Sequence, residues 1–126
     1  MLRYADEDIA RYQKYLESLK SRRSIDAALR KIIETPLKAA DSAAAGLDLC
    51  MEAISLVPRS VVSDVGAAAA LLAGTVKAIL LTLDVNLHEL PAGNELRRDG
   101  LKKRRLLEMR SARQLERVFA RRQLLP

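Results

Sequence analysis

An all-α bundle of about four long helices, built around a central apolar helix over Ser60 to Leu90 and completed by oligomerisation, is the fold class predicted here. Three observations predict it. Apolar residues recur at intervals of three and four along most of the chain. No stretch alternates with strand period, and no Asn-Gly hairpin signal or sequence repeat occurs. Finally, 49% of residues are hydrophobic but only 3% aromatic, and the Ala and Leu that dominate favour closely packed helices.

The first helix is predicted over Asp6 to Arg22. Asp6, Glu7 and Asp8 complement the positive end of its dipole, and Ile9, Tyr12, Leu16 and Leu19 form one face. Tyr12 and Tyr15 read as packing residues rather than ligand-stacking groups. Arg22-Arg23 ends the helix, and Ser24 starts the next as its N-cap. There the periodic positions are Ile25, Leu29, Ile32 or Ile33, Leu37, Ala40, Ala44, Leu47 and Met51. Pro36 interrupts them, predicting a kink or a break just before it. After the turn Val57-Pro58-Arg59, Ser60 or Ser63 caps the long helix. Its length of about 46 Å and apolar residues on nearly every side predict a buried axis. Gly66, Ala70 and Gly74 let a neighbour approach it. Pro91-Ala92-Gly93-Asn94 stops it, and Glu95 to Gln123 forms the last helix, with Leu96, Leu106, Met109, Leu115 and Phe119 as its apolar row. Gly100 weakens that helix by about 1 kcal/mol relative to Ala. Residues 1–126 read as one helical domain: a core over 1–94 and a basic C-terminal helix over 95–126.

The formal charge of +6 is unevenly placed. Residues 95–122 carry 11 Lys or Arg against 4 acids, a net +7, so the remainder is nearly neutral. With no Trp and one Phe, a base-stacking platform for single-stranded nucleic acid is excluded. Cys50 is the sole cysteine, which excludes an intrachain disulfide and a thiolate zinc site. No secretory signal is visible at the N-terminus, and a reducing cytoplasm suits this composition. The apolar run Val65 to Leu83 has Lys77 near its middle, a cost of about 2.5 to 3.5 kcal/mol for membrane insertion, so no membrane span is expected.

Sequence motifs for chemistry are few. Walker, GxGxxG, HExxH, CxxC and GxSxG patterns are absent, and one histidine, His88, cannot build a two-histidine metal site. Asp84 and His88, four apart, read as a helix-surface pair. Asp64 and Lys77 stand out as ionisable groups in apolar helix surroundings, a placement that costs energy unless they are paired or line a polar cleft. A first-turn cap for Asp64 and a snorkelling side chain for Lys77 remain equally open. The basic segment is open to three readings: a solvated or partner-packed helix, a phosphate-contacting helix using Arg104, Arg105, Arg121 and Arg122, or a surface for a polyanionic ligand.

From Thr35 to Leu90 the chain resembles the cyclodeaminase domain of formiminotransferase-cyclodeaminase and the related methenyltetrahydrofolate cyclohydrolases. Pro36-Leu37, Ser63-Asp64-Val65-Gly66 and Val85-Asn86-Leu87 carry the resemblance, with Asp6-Glu7-Asp8 and Tyr12 upstream. The family's Pro-Gly-Gly-Gly-Ser-like segment does not occur here, and Thr82 stands where its pattern leads one to expect Asn. The resemblance implies an all-α dimer, or a partner chain that supplies the missing helices. It also implies a tetrahydrofolate one-carbon adduct as substrate, 5-formimino- or 5,10-methenyl-tetrahydrofolate, with no metal. By resemblance Asp64 is the catalytic carboxylate, as electrostatic partner or proton shuttle, and Asn86 orients the substrate. Lys77 is placed against the folate glutamate tail by charge alone. Two alternatives stand beside this reading: a non-catalytic assembly subunit that has lost the folate pocket, and a nucleic-acid-binding protein using the basic helix.

Overall fold

The structure, a computed structural model, describes residues 2–121; Arg122 and Gln123 of the predicted last helix lie outside the described residues. It is all helical, in the order α1 (Leu2–Ala53), a 3-10 turn (Arg59–Val61), α2 (Val62–His88) and α3 (Glu95–Arg121), with no strand among the described residues. Two compact units divide the chain, residues 1–31 and residues 32–126.

The four predicted helices are three, because the first two are continuous. Neither Arg22-Arg23 nor Ser24 stops a helix: arginine is a strong helix former and an interior serine costs only a few tenths of a kcal/mol. Since α1 already starts at Leu2, Asp6, Glu7 and Asp8 lie beyond its first turn. Pro36 also fails to break it, for a visible reason. Proline has no N–H to offer the carbonyl four residues back, and that carbonyl, of Ile32, instead accepts a hydrogen bond from Asn86 Nδ2 at 3.1 Å. A bond from another helix thus repairs the vacancy. In Pro36→Ala the native N–H is restored, so Asn86→Ala, expected to cost about 1 kcal/mol in the parent chain, is expected to cost nothing measurable in that background. Urea unfolding of the four proteins measures the difference.

In the first unit Ile9, Tyr12, Tyr15, Leu16 and Ile25 are exposed. The packing role predicted for the tyrosines is not realised, because this unit holds one helical segment and no second element to bury them.

The second unit is a three-helix bundle. Its part of α1 runs alongside α3 in the same direction, with Asp41 and Asp48 meeting Arg110, Asp48 also meeting Gln114, and Met51 meeting Arg121. Helix α2 runs opposite to both: Leu72 packs on Gly46, and Asp84 on Arg104. Core positions alternate by three and four, as Ile33, Leu37, Ala40, Ala44 and Leu47 on α1 and as Val76, Leu80, Leu83 and Leu87 on α2. That spacing is the seam of a left-handed coiled coil. On α3 the core residues are Gly100, Leu107, Ser111 and Val118. Leu106 and Met109, placed in the apolar row by sequence, are exposed, because the row runs through the adjacent Leu107.

The long apolar helix exists, but it buries one side only. Leu71, Leu81 and Val85 are 73%, 62% and 63% exposed: two neighbouring helices cover about half of a third helix's circumference and leave the other half open. By length and composition Arg59–His88 is also sufficient to cross a membrane. Neither predicted serine caps α2; Val61 occupies its N-cap without a side-chain hydrogen bond. The start of α3 is capped as its Asn94 allows, with Asn94 Oδ1 accepting from the Arg97 N–H at 3.1 Å.

Candidate functional site

Asp64 lies in the first turn of α2 with its carboxylate exposed, where the helix dipole favours a negative charge. Lys77 is exposed on the same helix, facing a groove of about 420 Å³ between α2 and α3. Ala70, Ala73 and Gly74 form the small-residue side of this groove, and Arg104 and Glu108 enter from α3. Arg104 is already engaged: Nε and Nη2 donate to the two Asp84 carboxylate oxygens at 2.6 and 2.9 Å, and Nη1 donates to Glu108. Lys77 has no ion pair among the described residues, whereas Arg104, the other cation lining this groove, is engaged.

Asn86 faces α1, its amide on the Ile32 carbonyl. His88, in the last turn, has Nδ1 at 2.6 Å from the Asp84 carbonyl. With that nitrogen donating, Nε2 is left outward. The predicted Asp84–His88 pair is therefore a backbone contact, since the Asp84 carboxylate belongs to Arg104. Thr82 donates to the Ala78 carbonyl of its own helix at 3.4 Å.

Within one chain these candidates do not converge. At 1.5 Å per residue Asp64 stands about 20 Å from Lys77 and about 33 Å from Asn86 along the axis. Lys77 and Asn86, nine positions apart, lie on opposite sides of the helix.

Much of the basic helix is occupied by the protein itself. Arg97 donates to the Leu90 carbonyl at 2.9 Å, and Arg121 to the Met51 carbonyl at 3.2 Å. Arg110 donates to Asp41 at 3.1 Å and to Asp48, while Gln114 donates to the other Asp48 oxygen at 2.7 Å. Of the four arginines named as phosphate contacts, Arg104 and Arg121 are thus engaged and Arg105 is exposed; Arg122 lies outside the described residues. Arg98, Lys102, Lys103, Arg113 and Arg117 are also exposed.

Hydrogen bonds from Arg110, then from Gln114, hold the Asp48 carboxyl below the usual carboxylate range. A depressed folded-state pKa adds stability that is present above the unfolded value, about 3.9, and is lost as pH falls through the lower folded value. Asp48→Asn is therefore expected to flatten the fall of the thermal midpoint as pH drops below about 4, seen by circular dichroism melts at stepped pH. Burial raises the Cys50 pKa, which keeps this thiol protonated and poorly reactive.

A second groove, of about 820 Å³, lies between α1 and α3, where Lys38, Lys103 and Arg110 meet Glu34 and Asp41. Sequence reasoning missed it. Its signal was the alternation of Glu34, Lys38 and Asp41 at spacings of four and three, which places charges of both signs on one face of α1.

The formiminotransferase-cyclodeaminase family model matches residues 1–104. Comparison with curated proteins and with solved structures gives no match. The matched segment takes in α1, α2 and the first turns of α3, most of the chain, and the chain belongs to the formiminotransferase-cyclodeaminase family.

Proposed function

We propose that the protein acts in the cytoplasm on a one-carbon adduct of tetrahydrofolate, 5-formimino- or 5,10-methenyl-tetrahydrofolate, as a homodimer or with a partner chain and without a metal. The observation that carries this reading is the family match across Asp64, whose carboxylate is exposed on the first turn of α2. In cyclodeamination the arylamine nitrogen outside the pterin ring attacks the formimino carbon, and that carbon's bond to the nitrogen departing as ammonia breaks as the new ring closes. In cyclohydrolysis water adds to the methenyl carbon, one carbon–nitrogen bond opens, and a proton is released. Both reactions develop or discharge positive charge beside the amidine-like carbon, where a carboxylate stabilises charge and moves a proton. Lys77, without an ion pair among the described residues, meets the glutamate tail, and Asn86, about 33 Å from Asp64 on the same helix, orients the substrate from a second copy of the chain. Loss of the methenyl chromophore on adding the purified chain tests the reading, and absence of folate binding at high protein concentration would sink it.

The exposed apolar side of α2 favours one further reading, a non-catalytic assembly subunit. A stable hetero-oligomer recovered at native mass, with no folate turnover, would support that reading over the enzymatic one.

A further inference from the structure

Of the cations on the basic helix, Arg97, Arg104, Arg110 and Arg121 donate to carbonyls or carboxylates of the protein itself. Arg98, Lys102, Arg105, Arg113 and Arg117 do not, and they are exposed on one side of α3. At the helical period they fall within about 120° of its circumference. The middle of that arc is Met109, opposite the centre of the buried row Gly100, Leu107, Ser111 and Val118, so the bundle leaves it open. Asp99 and Glu116 lie among the cations, for a net +3 on this side from Arg98 to Arg117.

Two apolar side chains occupy the centre of the cationic face: Leu106 and Met109 are 58% and 49% exposed. Three positions apart, they adjoin. Lys102 and Arg105 lie one turn before them, and Arg113 one turn after. Leu106, Met109, Arg113 and Arg117 border a shallow hollow of about 240 Å³.

We infer that this side of α3 rests on an anionic phospholipid surface. An apolar centre set among long cationic side chains suits a membrane interface: the apolar groups enter the boundary between headgroups and acyl chains, and the Lys and Arg stems run up to phosphate level. A guanidinium can donate two parallel hydrogen bonds to a phosphate, and the hollow beside Arg113 and Arg117 gives a headgroup room. The line from Arg98 to Arg117 is about 28 Å long, so a planar surface meets several cations at once. A nucleic acid would engage the same cations, but it would set Leu106 and Met109, which have no hydrogen bond to give, against its phosphates and sugars. The cytoplasmic leaflet carries the anionic lipids that such a face requires. None of these residues lines the α2–α3 groove that holds Lys77, and the inference does not depend on the folate reading.

Flotation of the full chain with vesicles of equimolar phosphatidylglycerol and phosphatidylcholine is expected to carry it with the lipid, and vesicles of phosphatidylcholine alone to leave it behind. Lys102→Glu/Arg113→Glu is expected to lower binding by about tenfold or more, with its helical signal kept. Leu106→Ser/Met109→Ser, which keeps every charge, is expected to lower it by about three- to tenfold. The contacting side is read directly on a Cys50→Ser background. An environment-sensitive fluorophore on Met109→Cys is expected to shift to the blue with the anionic vesicles, and one on Leu71→Cys of α2 is not. Should either double variant lose its helical signal, the fluorophores decide. A parent chain that does not float overturns the inference, as does equal binding to both kinds of vesicle or a blue shift at Leu71→Cys instead. So does binding to duplex DNA, without flotation, that Lys102→Glu/Arg113→Glu abolishes and Leu106→Ser/Met109→Ser leaves unchanged, which would identify the face as a nucleic-acid surface.

Discussion

Asp64→Asn is expected to lower turnover of methenyl-tetrahydrofolate by about 10²- to 10⁴-fold, the range for loss of a positioned proton-transfer group. The side chain keeps its shape and its place in the first turn of α2, but it no longer carries a charge or takes a proton. Its structural contribution is small by comparison. The carboxylate is exposed, and its interaction with the helix dipole is worth about 0.3 to 1 kcal/mol, so the thermal midpoint should move by only a few degrees. Turnover and melting measured on the same preparation separate the two roles. Unchanged turnover would remove Asp64 from the chemistry, and a collapse of both signals would make it a folding residue. Asp64→Glu, which keeps the charge on a longer arm, is expected to retain more activity than Asn.

The largest stability effect is expected at Leu87, where α2 meets both neighbours. Leu87 is fully buried, and Leu87→Ala is expected to cost about 2 to 5 kcal/mol, a large share of what a domain of this size has to lose. Gly100 faces it: a Cβ placed there would lie 2.6 Å from Leu87 Cδ2 and 3.4 Å from Ile33 Cγ2. In Gly100→Ala a gain of about 1 kcal/mol in helix propensity is set against overpacking of about 1 to 3 kcal/mol, because the fully buried Leu87 side chain must shift to admit the new methyl. The double variant places the new methyl in space that Leu87 vacates. It is expected to be more stable than the two separate losses imply, by about 1 kcal/mol or more. Urea midpoints of the four proteins complete the cycle, and simple additivity would show that α3 yields at Gly100 instead.

The same residue shows how far the sequence could be read. Gly100 announced a weak point in a helix; what it accommodates, Leu87 and Ile33, sits on two other helices and is invisible to local propensity. Periodicity was legible where a helix had neighbours, since Ile33, Leu37, Ala40, Ala44 and Leu47 are the inner row of α1. It misled over residues 60–90, where apolar residues all round suggested full burial. A hydrophobic pattern states which faces want cover but not how many neighbours the chain supplies. Ser24 reads as a boundary and Pro36 as a kink or a break because a breaker is judged by the turn it sits in, whereas the repair at Pro36 comes from Asn86. Charges behaved likewise. Arg104 and Arg110 looked like a cationic surface, and their carboxylates, on Asp84, Asp41 and Asp48, lie on other helices. Of the candidate site, the first-turn position of Asp64 was readable from its own helix. The distance separating it from Asn86 was equally readable, and that distance already shows that one copy of the helix cannot bring them together.

The bond from Asn86 to the Ile32 carbonyl has a consequence for the alignment of the bundle. Seams of Ala, Leu and Val tolerate sliding, since a shift of one seven-residue repeat returns apolar side chains to apolar slots. The vacant carbonyl does not recur. Only one acceptor along this stretch of α1 is released by a proline, and only one setting of α2 brings the Asn86 amide to it. A slipped bundle would give up this bond, at about 0.5 to 1.5 kcal/mol. Pro36 and Asn86 together thus act as an index mark that sets the axial register of two otherwise slippery helices, as a single polar residue does in a coiled-coil seam.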